Sequence, residues 1–114
     1  MSDAPLQFDE FLRVELRVGT VRQAEPFPEA RKPAFILHVD FGEAIGIRKS
    51  SAQITDLYIP EELVGKQVLA VVNFPPKQIG PLMSECLVTG FYNADGQVVL
   101  AVPDQPLQNG ARLA

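Results

Sequence analysis

Few residues of this chain could do covalent or metal chemistry. Among 114 residues there is one Cys, one His and no Trp. Cys86 stands near Met83, Leu87 and Val88 on an expected strand. Free Cys is among the most buried residue types, so a small buried hydrophobe is its simplest role. A nucleophilic thiol needs a neighbouring base, and His38 is distant in sequence. His38 shares a strand face with Ile36 and Asp40. It reads as a surface or partly buried histidine, because Asp40 and Glu43 do not complete a metal-ligand spacing. One Cys and one His cannot build a Cys/His zinc site within one chain. Paired carboxylates, a glycine-rich phosphate cradle and a serine nucleophile elbow are all absent from the sequence. The chain therefore reads as a non-enzyme that needs no cofactor.

Binding chemistry has better support. Arg48-Lys49-Ser50-Ser51 is a run of cations and hydroxyls at the end of an expected strand, with Gln53 just behind. Asn73 and Lys77 flank Phe74-Pro75-Pro76. Such donors can hold phosphates and base edges on a barrel face. Each alone would be an ordinary solvated residue; their clustering raises the binding reading. Phe74, Ile79, Met83 and Phe91 are a second candidate set, for apolar segments of polypeptide. Met and aromatic side chains suit adaptable apolar contacts, although core packing is the simpler role for all four.

The elements that must position these residues are mostly strands. From Leu12 the pattern has period two, with Val14, Leu16 and Val18 on one face and Arg13, Glu15 and Arg17 on the other. Gly19 is expected to mark a bulge or bend, and the strand continues through Arg22. Pro26, Pro28 and Pro33 bracket a connection. Phe35, Leu37, Val39 and Phe41 then alternate with Ile36, His38 and Asp40, the clearest strand in the chain. Gly42 to Gly46 turns it into a third strand beginning at Ile45 and Ile47. Ile54, Leu57 and Tyr58 stand at helical spacing, and Pro60-Glu61-Glu62 resembles a first helical turn stopped at Gly65. A fourth strand is expected over Val68 to Phe74, a loop over Lys77 to Met83, a fifth strand over Ser84 to Tyr92 and a sixth over Val98 to Val102. Asn93 to Gly96 is a hairpin signal between the last two. Asp9 to Phe11 can make one helical turn before the first strand. The pattern predicts an all-β domain: a five-stranded Greek-key barrel of the OB type, with a short helix between strands 3 and 4 and terminal extensions.

Composition is consistent with one such domain over residues 1–114. The chain is 46 % hydrophobic with a formal net charge of −4, too apolar and too weakly charged for a disordered chain. The negative balance argues against a general nucleic-acid coater. Yet between Arg31 and Lys49 four basic residues face two acids, so a local basic face is possible. The stretch from Met1 to Phe11 has acids (Asp3, Asp9, Glu10), no Lys or Arg and no sustained apolar run, unlike an export signal. Val68 to Val72 and Val98 to Val102 fall far short of the ~20 residues that span a bilayer. A lone thiol fits a cytoplasmic setting without membrane insertion.

The segments together resemble a known family. Phe11-Leu-Arg-Val-Glu-Leu-Arg-Val-Gly-Thr-Val21 is similar to the opening of the tRNA-binding OB domain, which is also appended to some aminoacyl-tRNA synthetases. Arg48 to Ile54, Glu62 to Val68, Asn73 to Gly80 and Met83 to Gly90 continue the match in order, over about Phe8 to Leu113. Asn73-Phe-Pro-Pro-Lys77 and Met83-Ser-Glu85 most resemble a small stand-alone bacterial branch described as an export-related chaperone. The resemblance implies an OB-fold homodimer closed by segments at both chain ends. It also implies unfolded polypeptides or preproteins as partners, with tRNA as the alternative. RNA contacts carried over by motif position are Arg48, Lys49, Ser50, Ser51, Gln53, Asn73, Lys77 and Ser84. Where tRNA-binding members often carry Ser-x-Gly-Met, this chain has Ser84-Glu-Cys-Leu87, which brings the negative Glu85 into that stretch. Leu6, Phe8 and Phe11 near one end, and Leu107 and Leu113 near the other, would bury area in a dimer at roughly 25 cal/mol per Å².

Overall fold

Residues 4–114 are described by a computed structural model. Asp3, one of the acids of the N-terminal stretch, and the first three positions of the expected domain lie outside the described residues. A short helix α1 (Phe8–Leu12) precedes β1 (Leu16–Pro26), β2 (Phe35–Asp40) and β3 (Ile47–Ala52). The four-residue helix α2 (Pro60–Leu63) leads into β4 (Gln67–Val71). Five short strands follow: β5 (Lys77–Ile79), β6 (Leu82–Ser84), β7 (Leu87–Val88), β8 (Gly90–Tyr92) and β9 (Val98–Leu100).

One antiparallel sheet orders the strands β3-β2-β1-β4-β7. It curls until its two edges nearly meet. At the seam the Glu85 N–H donates to the Lys49 carbonyl at 2.7 Å. Two side chains stand in for further ladder partners. The Glu85 carboxylate accepts the Lys49 N–H at 3.1 Å and the Ser84 hydroxyl accepts the Ser51 N–H at 3.2 Å. Substitution of side-chain oxygens for carbonyls satisfies an edge that would otherwise lie open. The result is an all-β, nearly closed five-stranded barrel of the OB type, with α2 between β3 and β4.

The β2 alternation works as the sequence implies. Phe35, Leu37, Val39 and Phe41 are all buried and join Val21, Leu63, Val68 and Ala70 in the main core. Leu63 explains why so short a helix forms: its one buried side chain plugs the barrel, while Glu61 and Glu62 occupy the first turn and Gly65 at φ +92° ends it. The strand β1 is bent between Val21 and Gln23, where its register with β2 shifts.

Several expectations are corrected. Gly19 is not the bulge. A Cβ there would stand 2.5 Å from Val39 Cγ1 and 2.8 Å from the Phe41 ring, so Gly19 is required by close packing across the barrel. The first strand starts at Leu16 rather than Leu12, because α1 runs to Leu12 and the Arg13 and Val14 N–H groups still bond back to its carbonyls. Ile54, Leu57 and Tyr58 lie outside any helix; their spacing reflects Ile54 in the core and Tyr58 packed against it. The Tyr58 hydroxyl accepts the Leu100 N–H at 3.0 Å. The expected loop over Lys77 to Met83 is the β5–β6 hairpin, turned by Gly80 at φ +54°. The long fifth strand is broken into the end of β6, then β7 and β8, because the chain leaves the seam, pairs with β4 and then pairs with β9.

Candidate functional site

A groove of about 710 Å³ opens on the barrel face above the seam. Its floor includes the buried Ala52, Ile54 and Cys86. One wall is the Phe74-Pro75 stem with the β5–β6 hairpin, contributing Lys77, Ile79 and Ser84; the other is β7–β8, contributing Leu87, Phe91 and Tyr92. Three aromatic rings rim it facing solvent: Phe74, Phe91 and Tyr92 are 57 %, 73 % and 80 % exposed. The charged side chains lining it are one cation, Lys77, and one carboxylate, Glu85. Glu85 is tied to the seam through the Lys49 N–H.

Of the residues singled out for RNA, the structure brings Ser51, Gln53, Lys77 and Ser84 into this groove. The strand register separates the others from it. On β3 the burial alternates, so Ser50 and Ala52 point inward while Ile47 and Lys49 are exposed outside. Ser50 is 1 % exposed. Arg48 donates from Nη1 to the Val72 carbonyl at 2.6 Å, bracing β3 against the end of β4. Asn73 holds the junction between α1 and β1: its Oδ1 accepts the Glu15 N–H at 3.0 Å and its Nδ2 donates to the Arg13 carbonyl at 2.7 Å. Of the residues singled out for polypeptide, Phe74, Ile79 and Phe91 line the groove and Met83 does not. Phe74, Phe91 and Met83 are exposed, and Ile79 packs on a small cluster beside the barrel. Tyr92 was missed. The signal for it was the Phe91-Tyr92 pair just before the Asn93–Gly96 turn, a place where a hairpin tip exposes its side chains.

The remaining reactive residues have structural surroundings. Cys86 is buried, and burial pushes its thiol up to about 12, with the nearby Arg48 charge pulling the other way. Its Sγ lies 3.9 Å from the Lys49 carbonyl. His38 Nε2 lies 3.4 Å from a Glu25 carboxylate oxygen on the outside of the sheet. No group of three or more His, Cys, Asp or Glu gathers among the described residues. No helix among them is long and apolar enough to cross a membrane.

The C-terminal segment returns to the start of β1. The tail lies along that strand: the Val18 N–H donates to Ala111, Gly110 donates back to Val18, and Leu113 donates to Leu16. Arg17 Nη1 also donates to the Gly110 carbonyl at 2.9 Å. Leu6, Phe8, Phe11, Leu107 and Leu113 all remain exposed.

Comparison with known proteins places this geometry. Residues 16–112 match the family described as "Putative tRNA binding domain". A methionine–tRNA ligase of Flavobacterium johnsoniae is 34 % identical over 106 residues, covering 93 % of this chain and 14 % of that enzyme. The chain thus spans only about one seventh of the length of such curated relatives. Two solved structures, titled as CsaA chaperones, match over nearly their whole length. The one from Bacillus anthracis is 50 % identical with a TM-score of 0.91, covering 97 % of this chain and 100 % of that one. The one from Picrophilus torridus is 44 % identical with a TM-score of 0.91, covering 96 % and 100 %.

Proposed function

The chain belongs to the tRNA-binding domain family, and from that premise we propose that it is a non-catalytic, chaperone-like protein whose groove takes apolar segments of unfolded polypeptide. The observation that carries this reading is the character of the groove. It is rimmed by three exposed aromatic rings, floored by aliphatic groups and carries one charge of each sign. A surface this apolar on a small domain favours contact with a partner. Near-neutral lining favours a polypeptide over a polyanion, which needs several cations to neutralise phosphates. The likeness to structures titled as chaperones supports the same reading. We extend it to preproteins bound for export in the cytoplasm, and to a homodimer joined through the exposed apolar residues of the two chain ends.

A second reading, a tRNA-binding module, is favoured by one feature of the same groove. Exposed Phe74, Phe91 and Tyr92 offer stacking planes beside Lys77, Ser51, Gln53 and Ser84, the combination that receives unstacked bases. With Lys77 the one cation lining the groove, a phosphate held there would add roughly −0.7 to −0.9 to the log–log salt slope, and Arg48 and Lys49 stand away from it.

Titration with a fluorescent unfolded apolar peptide, and with tRNA, at two salt concentrations separates the readings. The chaperone reading expects peptide binding with little salt dependence and suppression of aggregation of a denatured client. Absence of both would overturn it. Binding of tRNA that weakens with salt, and whose salt slope shrinks by roughly 0.7–0.9 in Lys77→Ala, would favour the second reading.

A further inference from the structure

The groove wall formed by β5–β6 is not anchored in the main core. Leu82 points away from the groove into a separate apolar cluster with Phe27 and Ala34, all three buried, joined by Ala30, Ile36 and Ile79. Phe27 and Ala34 close the connection between β1 and β2, where the Phe27 N–H donates to the Ala34 carbonyl at 3.1 Å. The hairpin and this connection approach closely, since a Cβ on Gly80 would lie 3.4 Å from the Glu29 carbonyl oxygen. No backbone hydrogen bond joins the two segments among the described residues. Packing in the cluster is what joins them. On the other side, the hairpin meets β3 through the Ser84 hydroxyl.

We propose that Phe27 and Leu82 are positioning residues for the binding groove: they lock the β1–β2 connection and the β5–β6 hairpin into one unit, which sets where Lys77, Ile79 and Ser84 stand. The reading of the groove as a polypeptide site is the premise for its effect on affinity. The unit itself stands on packing alone. Three-residue strands make a hairpin with little stability of its own, so its closed geometry depends on the cluster. Local opening of such a segment proceeds without unfolding the barrel. Apparent affinity falls by the fraction of molecules that keep the wall in place. If truncation leaves about one tenth closed, Kd rises about tenfold.

The experiment compares wild type with Leu82→Ala, Leu82→Met and Phe27→Leu. Hydrogen exchange is followed by segment, and binding of a fluorescent unfolded apolar peptide is measured in parallel. Leu82→Ala is expected to speed exchange in residues 27–34 and 77–84 together while the β1, β2 and β4 amides keep their protection. It is expected to weaken peptide binding about tenfold, with Leu82→Met restoring both. Phe27→Leu, on the other segment, is expected to loosen the same two segments more mildly. Exchange that rises throughout the barrel, or in only one segment, would overturn the unit. Looser segments with unchanged peptide affinity would overturn the positioning role. Should the wild-type protein bind no peptide, the functional reading fails, and the exchange pattern still decides whether the two segments move together.

Discussion

Asn73→Ala separates a structural role from a binding role at a residue whose type suits both. Its side chain makes two hydrogen bonds, to the Glu15 N–H at 3.0 Å and the Arg13 carbonyl at 2.7 Å, linking the end of β4 to the α1–β1 junction some 58 and 60 residues earlier. A typical intramolecular hydrogen bond contributes about 0.5–1.5 kcal/mol net. Both lie in solvent-exposed surroundings, so water can replace part of what is lost and the pair is worth about 1–2 kcal/mol. For a chain of this size that is a fall in Tm of about 4–8 °C. The assay is thermal and urea unfolding, with hydrogen exchange at Glu15 as the local readout. Exchange there should quicken, and affinity for peptide or RNA should hold, because Asn73 does not line the groove. An unchanged Tm together with lost RNA binding would refute this reasoning and put Asn73 on the ligand.

Other outcomes follow from the same geometry. Gly19→Ala forces a methyl against Val39 and Phe41 in the core, and should cost about 1–3 kcal/mol in urea unfolding; a neutral substitution would mean that the barrel wall yields freely. The Asp40 carboxyl is held below its ordinary pKa by the Gly42 N–H and then by Arg22. Its contribution is therefore present above the ordinary carboxylate range and lost as pH falls through the lowered folded value. Because the Arg22 partner is more than half exposed, solvent screens the pair and the effect should be under about 1 kcal/mol, and Asp40→Asn should flatten the acid limb of the stability profile. Cys86, buried and pushed up to about 12, should resist alkylation in the folded protein and react only as it opens; rapid stoichiometric labelling near neutral pH would contradict its burial.

The barrel was largely legible because its strongest signals are strands with one buried face. The alternation of Phe35 to Phe41 matches burial residue by residue, and Asn93 to Gly96 turns as its side chain dictates, with Oδ1 accepting the Asp95 and Gln97 N–H groups. The β5–β6 hairpin was illegible, since three-residue strands around Gly80-Pro81 show no alternation to read. On β3 polarity is a poor guide to the faces: Ile47 faces solvent while Ser50 is buried, because the register with β2 sets Ser50 opposite Leu37. The candidate site was legible as a set of residue types but not as a place. Arg48 and Asn73 are engaged with carbonyls far along the chain, contacts that only the closed barrel creates. Conversely, Phe74 and Phe91 look like core in sequence and are rim in the structure, where the hairpins project beyond the barrel.

The most direct measurement of the central claim is the affinity of an unfolded apolar peptide for Phe91→Ala/Tyr92→Ala. Both rings are largely exposed, so folding should be retained. Each aromatic covered by a ligand is worth about 1.5–3 kcal/mol, and every 1.4 kcal/mol is about tenfold in Kd. For the two rings together that is about 3 kcal/mol or more, so the account predicts a loss of peptide affinity of roughly a hundredfold or more with unfolding unchanged. Wild-type affinity in the folded double variant would contradict the groove as the binding site.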